Sequence, residues 1–268
     1  MPKNEWQRRT ERAEELIRDR PAAGEVLQFF VAITGLQEEL WRELEGPATA
    51  SADPGTNFFA QPLPSSLVAR FGSFLSSVKD RAPAVVVQAA ERLGHEDAAL
   101  QSHVLDSFWQ ENAGGALPPG PEDFFARAFL QPYAVNVRSR LALQRGGPTP
   151  CLCPFCGRKP SSGVLRPLGD GGQRSLVCSL CLYEWEFRRI VCPACGEEDH
   201  AKLPVYTAED PKHVRVECCD RCRCYIKTVD LTKNGLADPV VDEIGAIPLD
   251  LWAQDHGYAK LQLNLMQL

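Results

Sequence analysis

Four C-x-x-C pairs fall between Cys153 and Cys222 of a 268-residue chain: Cys153/Cys156, Cys178/Cys181, Cys192/Cys195 and Cys219/Cys222. Thiolates at i and i+3 on a tight loop turn toward one side of a tetrahedral metal ion, and a second pair closes the shell. The pairs therefore predict two closed, sulfur-only sites. One is formed by Cys153, Cys156, Cys178 and Cys181, the other by Cys192, Cys195, Cys219 and Cys222. Each unit is about 40 residues, too small to be held by a hydrophobic core alone. A structural metal contributes roughly 10–16 kcal/mol of apparent binding energy and stabilises such a unit outright. A shell filled by protein leaves no open position for a water nucleophile, which favours a structural or electron-transfer role over hydrolysis. Zinc and iron both suit tetrahedral sulfur, and spacing does not separate them.

The two units repeat one another. CPFCG at 153–157 recurs as CPACG at 192–196, and CSLC at 178–181 matches CDRC at 219–222. Pro154 and Pro193 stiffen the turns, while Gly157 and Gly196 permit backbone angles that aim amides at thiolates. The second pairs lie in strand-like settings, RSLVCSLC and HVRVECCDRC, each followed by an aromatic strand signal, LYEWEF and CYIKTV. Alternation of β-branched and polar residues predicts two β-hairpin ribbons in tandem. LGDGGQ at 168–173 reads as a hairpin tip rather than a phosphate cradle. Tyr183, Trp185 and Tyr225 read as exposed aromatics that pack the ribbons together. Three cysteines remain: Cys151, Cys218 and Cys224. They read as tolerated thiols near the ribbons, with exchange into a site or redox response as the alternative. His95, His103, His200, His213 and His256 show no metal-ligand spacing and take structural readings.

All 11 cysteines lie between Cys151 and Cys224, so the first 150 residues form a chemically distinct half. Apolar residues at intervals of three and four predict helices over 4–20, 24–45, 65–80, 83–93, 96–112 and 121–145. Phe58-Phe59 is expected to anchor the loop between the second and third of these. Pro132 is expected to kink or divide the last. The run 239–257 predicts a short loop and a helix ending near Gly257. The expected fold class is thus α plus small β. A helical domain over 1–146 precedes ribbons over 151–190 and 191–232, then a C-terminal helix and tail over 238–268, with GGPTP at 146–150 as linker.

A net charge of −6 and a pI near 5.5 argue against nucleic acid as partner. The longest apolar runs, such as VLQFFVAITGL at 26–36, fall short of the ~20 residues a membrane helix needs. Arg8-Arg9 lacks the apolar segment of an export signal and reads as a solvated helix face. These features predict a cytoplasmic chain, where clustered C-x-x-C pairs favour metal over disulfide. No nucleophile-elbow, phosphate-loop or dinucleotide-binding pattern appears, and no catalytic residue is assigned.

Several segments resemble one family. The CPxCG of the first site with Pro160 beyond it, CSLCLYEW, the step from there to CPAC, and ECCDRCRCYIK are similar to FdhE proteins, as are FLQPYA at 129–134 and the closing LDLWAQDHGYAKLQLNLM. The resemblance implies a helical N-terminal domain with two rubredoxin-like ribbons. It implies iron held by Cys153, Cys156, Cys178, Cys181, Cys192, Cys195, Cys219 and Cys222, with zinc also compatible. It also implies a non-enzymatic accessory factor for assembly of respiratory formate dehydrogenase, contacting its catalytic subunit in the cytoplasm. Stable membrane insertion is not expected, and self-association is left open. The alternative is a rubredoxin-like electron carrier, since a four-thiolate iron site with an exposed edge passes single electrons.

Overall fold

A computed structural model describes residues 4–44, 61–79, 82–110, 120–140, 151–169 and 171–268. The predicted anchor at Phe58-Phe59 and the linker at 146–150 lie outside these residues. The described helical half consists of α1 (Glu5–Asp19), α2 (Gly24–Leu44), α3 (Ser65–Val68), α4 (Phe71–Lys79), α5 (Ala84–His95), α6 (Ala98–Gln110) and α7 (Pro121–Arg140). A capping box starts α1: the Gln7 amide donates to Asn4 Oδ1 at 2.9 Å, and the Asn4 amide donates to Gln7 Oε1 at 3.3 Å. The α2 stripe buries Leu27, Phe30, Ile33, Leu36 and Leu40 against α1 and α7. The segment predicted as one helix over 65–80 is two, α3 and α4.

Helix α7 is not divided at Pro132; it runs unbroken from Pro121 to Arg140. Proline has no amide proton, so the carbonyl four residues earlier loses its helical donor. That carbonyl belongs to Ala128, and the buried Gln37 side chain of α2 donates to it at 2.9 Å. Gln37 also donates to Gln131 Oε1 at 3.1 Å, and Gln131 reaches the Ser179 carbonyl of the first ribbon at 3.4 Å. A neighbouring helix thus replaces the missing bond and ties the bundle to the cysteine region.

The cysteine region forms one sheet of β1 (Pro160–Leu168), β2 (Gly171–Cys178), β3 (Glu184–Glu186), β4 (Val205–Thr207), β5 (Val214–Cys218), β6 (Cys224–Asp230) and β7 (Ala259–Lys260). The order is β3-β2-β1-β6-β5-β4, with β7 paired to β6. The antiparallel hairpins β1–β2 and β5–β6 are the two predicted ribbons. A parallel pairing of β1 with β6 merges them, placing Gly163 opposite Thr228, Val164 opposite Val229 and Leu165 opposite Asp230. Gly163 is required there: a Cβ at this position would overlap the Thr228 side chain.

Alternation along the strands covers both faces of the sheet. Leu176, Trp185 and Ile226 join the helical half in one apolar cluster. Val164, Val177, Val214, Val216 and Val229 face the other way, packing with Leu249 and Ala253 of α9 (Ile247–Asp255). The 239–257 run holds two short helices rather than one, α8 (Val241–Ile244) and α9. The three aromatics expected between the ribbons are placed otherwise. Tyr183 packs edge-on against Phe155 at 4.7 Å, Trp185 is buried in the helical cluster, and Tyr225 is buried beneath α9.

Polar contacts fasten the C-terminal segment to both halves. Arg12 of α1 grips Asp242 of α8 in bidentate fashion at 2.9 and 2.6 Å, and His213 reaches the same carboxylate at 2.7 Å. Lys227 of β6 and Lys260 of β7 alternate with Glu243 and Asp250 in a buried ionic quartet. The Tyr225 hydroxyl donates to Asp250 and the Asn264 amide to Glu243, each at 2.7 Å. Buried ions require such saturation, because an unpaired one carries a desolvation penalty of several kcal/mol.

Candidate metal centres

Each C-x-x-C pair sits on a turn built to one pattern. The amide of the first cysteine donates to the carbonyl five residues on: Cys153 to Arg158, Cys178 to Tyr183, Cys192 to Glu197 and Cys219 to Cys224, all at 2.8–2.9 Å. The residue four beyond the first cysteine has positive φ in every case: Gly157 at 71°, Leu182 at 54°, Gly196 at 73° and Arg223 at 57°. The glycine positions were legible in the sequence. Leu182 and Arg223 were not, since neither residue type favours this region. Amides of Leu180 and Ala194 point at the sulfurs of Cys178 and Cys192, each at 3.4 Å.

These turns gather the eight predicted cysteines into the two predicted groups. Within each group the Sγ atoms all lie within 4.8 Å of one another. Sulfur separations are 3.5 Å for Cys153–Cys181, 3.3 Å for Cys156–Cys178 and 3.7 Å for Cys156–Cys181 in the first group. They are 3.7 Å for Cys192–Cys222 and for Cys195–Cys219 in the second. A tetrahedron with metal–sulfur bonds of about 2.3 Å has edges of about 3.8 Å, so either group suits a four-thiolate zinc or iron ion. Among the described residues no histidine joins either group. His213 serves Asp242, and His256 stacks on Trp252 at 4.1 Å.

The two centres differ in setting. Cys153, Cys178 and Cys181 are buried in the cluster shared with the helical half. The second centre reaches the surface, with Cys195 exposed and Cys222 half-buried. Bonds with neighbouring thiols push Cys156 up; at Cys181 burial leads, with the thiols adding to it. Burial also acts on Cys178, but bonds from its neighbours and the Leu180 amide outweigh it and hold this thiol low. Four thiols this close do not ionise together without a counter-charge, which a divalent cation supplies.

The extra cysteines stay outside both groups. Burial pushes Cys218 up to about 12, and it packs in the apolar cluster beneath α9. Cys224 lies beside the second centre, where burial and the neighbouring Cys222 raise it to about 11. Burial, and the approach of Cys195, also raise Cys151. One feature carried no sequence signal. Arg174 and Arg215, from different ribbons, hold the two oxygens of Glu217, at 2.6 Å and at 2.6 and 2.9 Å respectively.

A helical half joined to one sheet carrying two four-cysteine groups, each able to close a tetrahedral shell, defines a double-ribbon protein. Family models described as the FdhE central domain and the FdhE C-terminal domain match residues 152–189 and 190–267. A curated FdhE homolog from Aquifex aeolicus is 34% identical over 67% of this chain and 63% of its own length. One from Stutzerimonas stutzeri is 28% identical over 99% of this chain and 90% of its own. The chain spans only 37% of the length of a Pseudomonas putida homolog, at 36% identity. The crystal structure of the FdhE protein from Pseudomonas aeruginosa superposes with a TM-score of 0.72 at 27% identity, covering 98% of this chain and 95% of that one. The chain belongs to the FdhE family.

Proposed function

We propose that this protein is a non-enzymatic accessory factor in the assembly of formate dehydrogenase, docking on the catalytic subunit in the cytoplasm. Its eight cysteines, Cys153, Cys156, Cys178, Cys181, Cys192, Cys195, Cys219 and Cys222, would hold two metal ions, with iron favoured by the family resemblance. The observation that carries this reading is the pair of closed four-sulfur groups in a fold that matches an FdhE structure along nearly its whole length. A saturated shell suits a metal that fixes a surface in shape. Among the described residues no helix is long and apolar enough to cross a membrane. The family models meet at residue 190, which supports treating 151–190 and 191–232 as two ribbons between the helical domain over 1–146 and the tail over 238–268.

Co-purification of tagged protein with the formate dehydrogenase catalytic subunit tests the role. A one-to-one complex from anaerobic or aerobic extracts is expected, and its absence from both refutes docking. A second reading, one-electron transfer, is favoured by the exposed Cys195 edge of the second centre. A visible spectrum that bleaches reversibly on reduction supports it. Stoichiometric zinc without colour excludes it.

A further inference from the structure

We propose that an apolar cavity between α2, α5, α7 and the C-terminal tail binds a small, uncharged aromatic molecule of two fused rings. The cavity measures about 230 Å³, and its walls include Phe29, Val85, Ala89, Phe124, Phe125 and Met266. Side chains in packed interiors leave few gaps larger than a water molecule, and this one is several times that size. A dry apolar cavity of about 150 Å³ takes one benzene ring. This one is about half as large again, which is room for a second, fused ring.

The walls are apolar and held in place. The Phe29 and Phe124 rings lie 5.5 Å apart, and Phe125 meets Phe124 edge-on at 5.2 Å. Met266 adds a flexible thioether, which adapts to ring edges. The tail that carries it is fastened to α7. Arg127 Nη1 donates to the Leu263 carbonyl at 2.7 Å and to the Asn264 carbonyl at 3.2 Å, and the Gln267 side-chain amide donates to the Gly120 carbonyl at 3.1 Å. Gln267 has a φ of 59°, a left-handed backbone that few residues with a side chain adopt. Strain of this kind persists where surrounding contacts enforce it, and here it sets one wall of the cavity.

The chemistry of the lining selects the ligand. No lining side chain is ionisable, and Gln267 is the only one that carries an amide. Its Nε2 is spent on Gly120, so water gains few partners there. A charged ligand would lose its hydration against these walls. An anion would in addition meet Glu122, exposed in the first turn of α7. Of the large apolar side chains in the lining only Val85, at 73%, is exposed, so the walls enclose a free ring rather than offer a flat face to a polypeptide. The inference does not depend on the assembly role and is read on the isolated protein.

The test uses the full metal-loaded chain and 5-fluoroindole, followed by ¹⁹F NMR line broadening through the millimolar range. Saturable binding is expected, displaced by unlabelled indole and not by indole-3-acetate, whose carboxylate the walls reject. Ala89→Leu fills the cavity from α5, and Val85→Trp, at an exposed position, plugs its mouth without altering the core. Each is expected to weaken binding about tenfold or more, the effect of losing roughly 55 Å² of apolar contact, at unchanged metal content. No saturable binding by the parent protein, indole-3-acetate competing as well as indole, or parent-like affinity in both variants would each overturn the proposal. Tighter binding of N-acetyltryptophanamide than of indole would overturn it in favour of a tryptophan side chain on a partner polypeptide.

Discussion

Gly163→Ala tests the feature that turns two ribbons into one sheet. The added methyl group would overlap Thr228 Oγ1 and stand 3.2 and 3.3 Å from Thr228 Cβ and Cγ2. Both residues lie in paired strands, β1 and β6, so relief requires the strands to part or Thr228 to leave its rotamer. Thr228 is fully buried, which blocks the second route. Overpacking of this kind costs about 1–3 kcal/mol. For a chain of this size, about 2 kcal/mol lowers the melting temperature by roughly 4–8 °C. In a Thr228→Ala background the overlapping oxygen is gone, and the cost of Gly163→Ala should fall below about 1 kcal/mol. Thr228→Val keeps the shape while removing a hydroxyl that has no hydrogen-bond partner, so there the full cost should persist. The assay is urea unfolding of the metal-saturated chain for the four corners of the cycle. Equal costs of Gly163→Ala in the parent and Thr228→Ala backgrounds would refute the parallel β1–β6 pairing as the source of the constraint.

Three further outcomes are expected. Cys153→Ser and Cys192→Ser each remove a thiolate from one group, so metal content should drop by about one ion per chain and the melt should shift down; unchanged melts in both would contradict a structural role. Lys227→Met leaves Glu243 and Asp250 with Lys260 as their only buried cation and should cost about 3–5 kcal/mol; a urea midpoint within error of the parent would show the quartet to be unimportant. The Asp242 carboxyl feels an upward push from burial, but Arg12 and His213 outweigh it and hold it below its usual range. A depressed carboxylate stabilises the fold above its unfolded value of about 3.9, and that contribution disappears as pH falls through the folded value. The stability gap between parent and Asp242→Asn should therefore be largest above about pH 5 and close in acid; a gap that widens in acid would reverse the assignment.

The grouping of the cysteines was readable because C-x-x-C spacing is a local device. The backbone between i and i+3 is short, so the pairs meet wherever the turn forms, and the repeat of CPxCG fixes which pairs share a site. Helices were readable for the same local reason, through the periodic stripe of Leu27, Phe30, Ile33 and Leu40. Expectations failed where a distant side chain decided the outcome. Pro132 looked like a helix breaker until Gln37, 95 positions earlier, supplied the donor that the Ala128 carbonyl lacked. Tyr225 looked like a contact between ribbons, yet its hydroxyl is committed to Asp250 of α9.

By itself, then, the sequence determined which eight cysteines would come together and in which two groups of four, because thiol number and spacing act over a few bonds. Only the tertiary structure decided that the two ribbons share a sheet, that the first centre is buried against the bundle while the second meets solvent, and that Arg174, Arg189, Arg215 and Glu217 converge behind that second centre. Those outcomes rest on pairings between residues far apart in the chain, such as Gly163 with Thr228 and Arg12 with Asp242. Their free energy comes from burial and desolvation in the packed fold, which no local pattern encodes.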